Sequence, residues 1–375
     1  MLSVAYFYMI SSSCMKGDDE LGAAIINDKN FIIVKGVLVK YKSNSPFAEV
    51  PYGVGSIGKE AFSYTDVQTV ELPETVTRID DNAFDHCQEL YEINLPDGIS
   101  YIGRDAFSYC WNLKSLGLPS NLQVIGSGAF ANTGISEISI PNSVSVIESK
   151  TFEYCSALKK VDLPNELKSI GWRAFYYCKE LTDLSFSTKI ENIDSEAFQG
   201  CNVLTNRDGF IILDDKLAYY SGNDRVVNIP EGVKHIASRV FEKKNRVRKV
   251  ILPESLSSIG YCAFSECHNL RDINISTSVA VDDNAFSDCP KLADENGFII
   301  INGVLFGYYD DSTRVMNEQR KEACYQEAVK QLGDYDGSNR EQLERAIDLF
   351  EVIEGYKDSE IKLKEYYKKY WNLDI

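Results

Sequence analysis

The stretch IGRDAFSYCWNLKSLGLP (102–119) decides the fold, because close copies of it run before and after it along most of the 375-residue chain. Aligned on the phenylalanine, the copies fall at Phe62, Phe84, Phe107, Phe130, Phe152, Phe175, Phe198, Phe241, Phe264 and Phe286, spaced by 22 or 23 residues with one gap of 43. A fixed short period marks a solenoid. Five residues before each Phe stands an isoleucine (Ile57, Ile79, Ile102, Ile125, Ile147, Ile170, Ile193, Ile236, Ile259), replaced by Val281 in the tenth copy, and Ala precedes Phe in eight. Core-facing positions are held while their neighbours vary.

After each Phe comes a run such as LYEINLP (90–96) or LKKVDLP (158–164), whose end alternates in and out as a short strand until proline stops the pairing. A second apolar pair, such as Leu167 with Ile170, leads into GxxAF, whose small residues suit a compact turn or a single helical turn. A coil of 23 residues cannot bury its apolar face alone, so coils stack and their strands form parallel ladders in an elongated, gently curved slab. The gap of 43 is filled by GFIILDDKLAYY (209–220), which matches NFIIVKGVLVKY (30–41) and GFIIINGVLFGY (297–308). Each reads as a hairpin of two short strands around a tight turn, and after the third the chain turns helical.

This pattern, IGxxAFxxCxxLxxIxLPxxLxx, resembles that of the BspA-type leucine-rich repeat family over about 255 residues. The resemblance implies a solenoid of about ten coils with parallel strand ladders and three β-hairpin inserts. It also implies a bacterial cell-surface or secreted protein that binds host proteins or other cells and is not an enzyme.

Seven of the ten cysteines (Cys87, Cys110, Cys155, Cys178, Cys201, Cys267, Cys289) lie three residues after a Phe. No complementary column exists to pair with them and there is no CxxC or HxxxH, so the spacing predicts buried free thiols packing the corner, with neither a disulfide framework nor a metal. Two copies with Thr65 or Thr133 in that place have a corner one residue shorter. His86 and His268 fall on distant corners and His235 in a strand-like run, so no shared catalytic triad forms. There is no GxSxG, Walker loop or GxGxxG, which leaves no catalytic residue and no cofactor to name. A net charge of −17 and a pI near 4.7 disfavour nucleic acid and anionic lipid as partners.

Three regions follow: an N-terminal lead or cap (1–29), the solenoid (30–311) and a helical tail (312–375). The start, MLSVAYFYMISSSC, has an apolar run of only seven residues with no Lys or Arg before it, and makes a poor leader. No run of 18 apolar residues exists to span a membrane. In the tail, Ala323, Ala328 and Leu332 line one helix face. Ser338 with Glu341 opens a second helix carrying Ile347 and Phe350, and Asp358 caps a third that reaches Trp371. The tail is similar to tetratricopeptide-like helical tails. DYDGSN (334–339) lacks the ligand order of a calcium loop.

Residues flanking the middle apolar position of each LxxIxLP strand point outward, and stacking aligns them in two columns. The candidate binding residues are Glu71, Glu92, Asn94, Glu137, Lys160, Asp162, Asp183 and Asp272, six of them acidic on a rigid backbone. That favours a broad protein partner of basic character over a small molecule; the plainer reading is a solvated sheet face. A rival stripe on the corners, Tyr64, Tyr109, Tyr154 and Tyr177, would anchor a protein, or less readily a glycan, unless the rings pack sideways on one another. The alternative to a surface-exposed binding module is a cytoplasmic scaffold, with the tail docking a partner and the array as a spacer.

Overall fold

The computed structural model describes residues 25–27, 29–185, 190–282, 284–294, 297–301, 304–308, 318–333, 347, 349–350, 359 and 361–362. The expectations for the N-terminal apolar run, Cys14, the Asn302-Gly303 turn, the Ser338–Glu341 capping box, Asp358 and Trp371 lie outside them.

Most coils supply two short strands. The first ends on the repeating isoleucine: Ser56–Ile57, Arg78–Ile79, Tyr101–Ile102 and Val124–Ile125 pair in parallel, isoleucine opposite isoleucine. The ladder breaks there and resumes with Val146–Ile147, Ser169–Ile170 and Asn192–Ile193, then with His235–Ile236, Ser258–Ile259 and Ala280–Val281. A second ladder carries the LxxIxLP strands in three blocks. They are Phe47–Glu49 to Glu92–Ile93, Glu137–Ser139 to Asp183–Ser185, and Val226–Asn228 to Asp272–Ile273. Residues 114–118 form no strand, so the first break lies at that coil.

The phenylalanines are fully buried and stack from Phe62 through Phe198 and again from Phe241 through Phe286, with ring centroids 4.8–5.8 Å apart. That spacing follows from the coil repeat, which is set by strand separation at about 4.8 Å. Gly126 shows how closely coils approach: a Cβ there would lie 2.5 Å from the Arg104 backbone nitrogen.

The hairpins form as expected, Phe31–Val34 with Val37–Tyr41, Phe210–Leu213 with Lys216–Tyr220, and Phe298–Ile301 with Val304–Tyr308, each with a bulge at the same place. The second strands of the first two hairpins also join the first ladder, Leu38 opposite Ile57 and Leu217 opposite Ile236. Tyr41 and Tyr220 then head the phenylalanine stacks, 4.9 Å from Phe62 and 5.1 Å from Phe241. The gap of 43 is therefore two near-regular steps, of 22 and 21 residues, with Tyr220 standing in the phenylalanine column before Phe241. Ile25–Asn27, in the N-terminal lead, adds an antiparallel edge strand to the first hairpin.

The core divides at the second hairpin. Ile211 and Leu213 close the first cluster, while Phe210, Leu217 and Tyr220 open the second. At the far end Ile299 and Ile301 face the array, and Phe298 and Leu305 pack beneath Cys324, Ala328 and Leu332 of the helix Glu318–Gly333. Phe306 meets Phe286 edge-on at 5.9 Å.

Candidate binding faces

The strand face is built by register. Glu137, Lys160 and Asp183 lie directly opposite one another across three coils, as do Ser139, Asp162 and Ser185. Glu49 lies opposite Glu71, Thr69 opposite Glu92, and Lys249 opposite Asp272. All the middle residues but Leu184 are buried, and their flanking side chains face outward because successive strand residues alternate.

The eight candidate residues are not equivalent. Glu71, Glu92, Glu137, Asp183 and Asp272 are exposed. Asp162 accepts hydrogen bonds from Ser185 Oγ at 2.6 Å and Ser139 Oγ at 2.9 Å and pairs with Lys160 Nζ at 3.3 Å, which together hold its carboxyl below the usual range. Asn94 is committed to its neighbour: its side chain accepts from the Leu72 N–H at 2.7 Å and donates to the Leu72 carbonyl at 2.9 Å. Its amide completes the sheet edge where the Leu72 backbone would otherwise lack a partner. Lys249 and Asp272 form a cross-coil ion pair.

The four tyrosines of the rival stripe all occupy the position two after Phe, and all adopt left-handed backbone with φ near +58°. That conformation turns their rings out of the corner. The N–H of each donates to the next coil, as Tyr64 to the Asp85 carbonyl and Tyr154 to the Tyr176 carbonyl. Sideways packing is what the rings do. His86 lies between Tyr64 and Tyr109, 4.5 and 4.3 Å from them, and Tyr154 and Tyr177 are 5.6 Å apart. Asn132 takes the stripe position between Tyr109 and Tyr154, so the aromatics form two groups. Between those groups lies a cleft of about 750 Å³, lined in part by Trp111, Lys114, Tyr154 and Lys159. Sequence reasoning missed Trp111 and both lysines; the signal was the shortened corner at Thr133, read only as packing.

The nine described cysteines are buried thiols. In each of the seven column cysteines the thiol donates to the carbonyl of the phenylalanine one coil earlier, at 2.9–3.2 Å. Thr65 and Thr133 donate to the same class of carbonyl within their own coils. His235 Nδ1 bonds Ser258 Oγ and His268 Nδ1 bonds Asn245 Oδ1, each a coil-to-coil tie. Among the described residues no group of three His, Cys, Asp or Glu is placed to hold a metal ion, and no helix is long and apolar enough to cross a membrane.

No curated protein matches this chain. Among solved structures it is similar to a leucine-rich repeat protein from Bacteroides ovatus ATCC 8483, 23% identical over 74% of this chain and 93% of that one, with a TM-score of 0.49. A leucine rich cell surface protein from Faecalibacterium prausnitzii A2-165 is 24% identical over 75% and 88%, TM-score 0.45. A leucine-rich repeat protein of T. pallidum is 28% identical over 51% and 92%, TM-score 0.44. The repeat profile described as BspA type leucine rich repeat region matches in six copies, over residues 39–159, 123–208 and 213–297. With that profile covering most of its length, and with the coil, ladder and phenylalanine stack it implies all in place, the chain belongs to the BspA-type leucine-rich repeat family.

Proposed function

We propose that this chain is a non-enzymatic interaction protein of the bacterial cell surface, presenting the outward columns of its second ladder to a protein partner of basic character. The observation that carries this reading is the register. Glu92, Glu137, Asp183 and Asp272 are exposed and take the same strand position in three separate blocks of the second ladder, on a backbone that the buried core holds rigid, with Lys160 between Glu137 and Asp183 and Lys249 paired to Asp272. Fixed carboxylates that outnumber the two lysines at that position favour a partner carrying cations and gain little from a flexible or anionic ligand. The helix Glu318–Gly333 buries Cys324, Ala328 and Leu332 on the last hairpin, which takes its apolar face out of use for docking and weighs against the scaffold reading. Surface location follows the family.

The test replaces carboxylates by amides, since reversing Glu137 and Asp183 would set lysines opposite Lys160, and like charges across a ladder destabilise it. The variant Glu92→Gln, Glu137→Gln, Asp183→Asn, Asp272→Asn is expected to lose binding to the native partner at an unchanged Tm. Binding that survives this change but disappears in Tyr154→Ala, Tyr177→Ala would move the site to the corner. External protease on intact native cells should remove the protein; full protection would refute the surface location.

A further inference from the structure

The corner after Phe130 is where the repeat departs from itself. Its neighbours run FSYCWNL (107–113) and FEYCSAL (152–158), whereas this coil runs FANTGI (130–135), with Gly134 alone where Trp111-Asn112 and Ser156-Ala157 stand on either side. The chain is pulled in so far that a Cβ at Gly134 would collide with the Trp111 carbonyl. A dent one coil wide results, the cleft of about 750 Å³ already described, within the range of small-ligand sites.

We propose that this cleft binds an acidic oligosaccharide, one carrying hexuronate carboxylates. Two aromatic rings line it, Trp111 from the coil before and Tyr154 from the coil after, and they stay 53% and 46% exposed. Both are braced from behind, Trp111 edge-on against Tyr109 at 6.3 Å and Tyr154 against Tyr176 and Tyr177 at 5.4 and 5.6 Å. Their free faces are therefore presented with little ordering left to do. Flat apolar faces flanking a polar floor suit a pyranose, whose C–H faces stack on rings while Asn132, Ser136 and Ser156 meet its hydroxyls. Charge selects an acidic sugar. In a protein of net charge −17 the cleft carries Lys114 and Lys159 against Glu180, and neither lysine is ion-paired among the described residues. A neutral glycan would leave both cations unused; an acidic peptide would use the cations and has no need of two ring faces. This site includes none of the four strand-face acids, so the inference stands or falls separately from the proposed protein-binding function.

The experiment is calorimetry on the full chain with tetragalacturonic acid, its methyl ester and tetraglutamate. The acid should bind and the ester bind about tenfold more weakly. Trp111→Ala should lower affinity for the acid about tenfold, and Lys114→Gln, Lys159→Gln should remove the preference for acid over ester. All of these changes are at the surface, and Tm reports that each variant is folded. The amide variant of the strand face should bind the saccharide unchanged. No heat with millimolar saccharide, binding indifferent to Trp111→Ala, or equal binding of tetraglutamate would each overturn the proposal, the last in favour of an acidic peptide.

Discussion

A thiol buried against a backbone carbonyl favours its protonated form, because the thiolate would be a charge without water. Burial accordingly pushes Cys87 and Cys155 up to about 11 and Cys267 up to about 12 from an ordinary value of 9.0, and Cys110, Cys178 and Cys289 move the same way. The unfolded chain ionises these groups near pH 9 while the folded chain does not. Their stabilising effect is therefore complete below pH 9 and is lost as pH rises from 9 towards 11–12. Urea denaturation should show stability falling steeply between pH 9 and about 11, and less steeply once Cys155 and Cys178 are replaced by alanine. Equal slopes would refute the link. A thiol reagent at neutral pH should find the nine described cysteines silent in the native protein and reactive together on denaturation. The column of cysteines was legible as a packing feature because its spacing never varied. What it bonds to was not, since the acceptor belongs to the coil before. The left-handed backbone at Tyr64, Arg173 or Lys243 was likewise hidden. Such residues disfavour that conformation by about 1–2 kcal/mol, and only the coil-to-coil hydrogen bond, as from Lys243 N–H to the Ser265 carbonyl, imposes it.

Hairpins and helix are the elements that close the array. A solenoid end exposes ladder groups and apolar side chains that invite association, and the helix Glu318–Gly333 meets this by covering Phe298 and Leu305. Leu332→Asp places a charge in that contact, where burial without a partner costs several kcal/mol. The expected result is a lower Tm and concentration-dependent oligomers in light scattering; a monomer of unchanged Tm would show that the helix is not a cover. The hairpins were readable from Phe and Tyr ten residues apart, yet their place in the ladder was not. Tyr220 resembles no GxxAF phrase and takes the phenylalanine's position only because Leu217 pairs with Ile236. The strand break at 114–118 had no signal either, since Leu113 and Leu116 keep the pattern. Strands of two or three residues rest on one or two hydrogen bonds each, below what composition can resolve.

At the scale of the molecule, periodicity made the architecture legible, because one phrase repeated ten times is evidence that no single copy carries. The candidate faces were legible only in part. Alternation placed Glu92, Glu137 and Asp183 outside, but which acids are free depended on contacts between coils: Asn94 is tied to Leu72, and Asp162 to Ser139 and Ser185. The ladders have a mechanical side as well. Their hydrogen bonds join each coil only to the next and point along the length of the array, so a pull on the two ends loads them one coil at a time, like a peeled strip. Each released coil of 22 or 23 residues pays out about 75 Å of extended chain. Optical tweezers holding the two ends should record a low-force staircase with that step. The first steps should start at the second hairpin, where the core clusters divide, or at the strandless coil, 114–118. A single high-force rupture would contradict coil-by-coil release. A molecule that yields in this way lengthens under load before it comes apart, and Trp111 and Tyr154 flank one of the two places where opening should start.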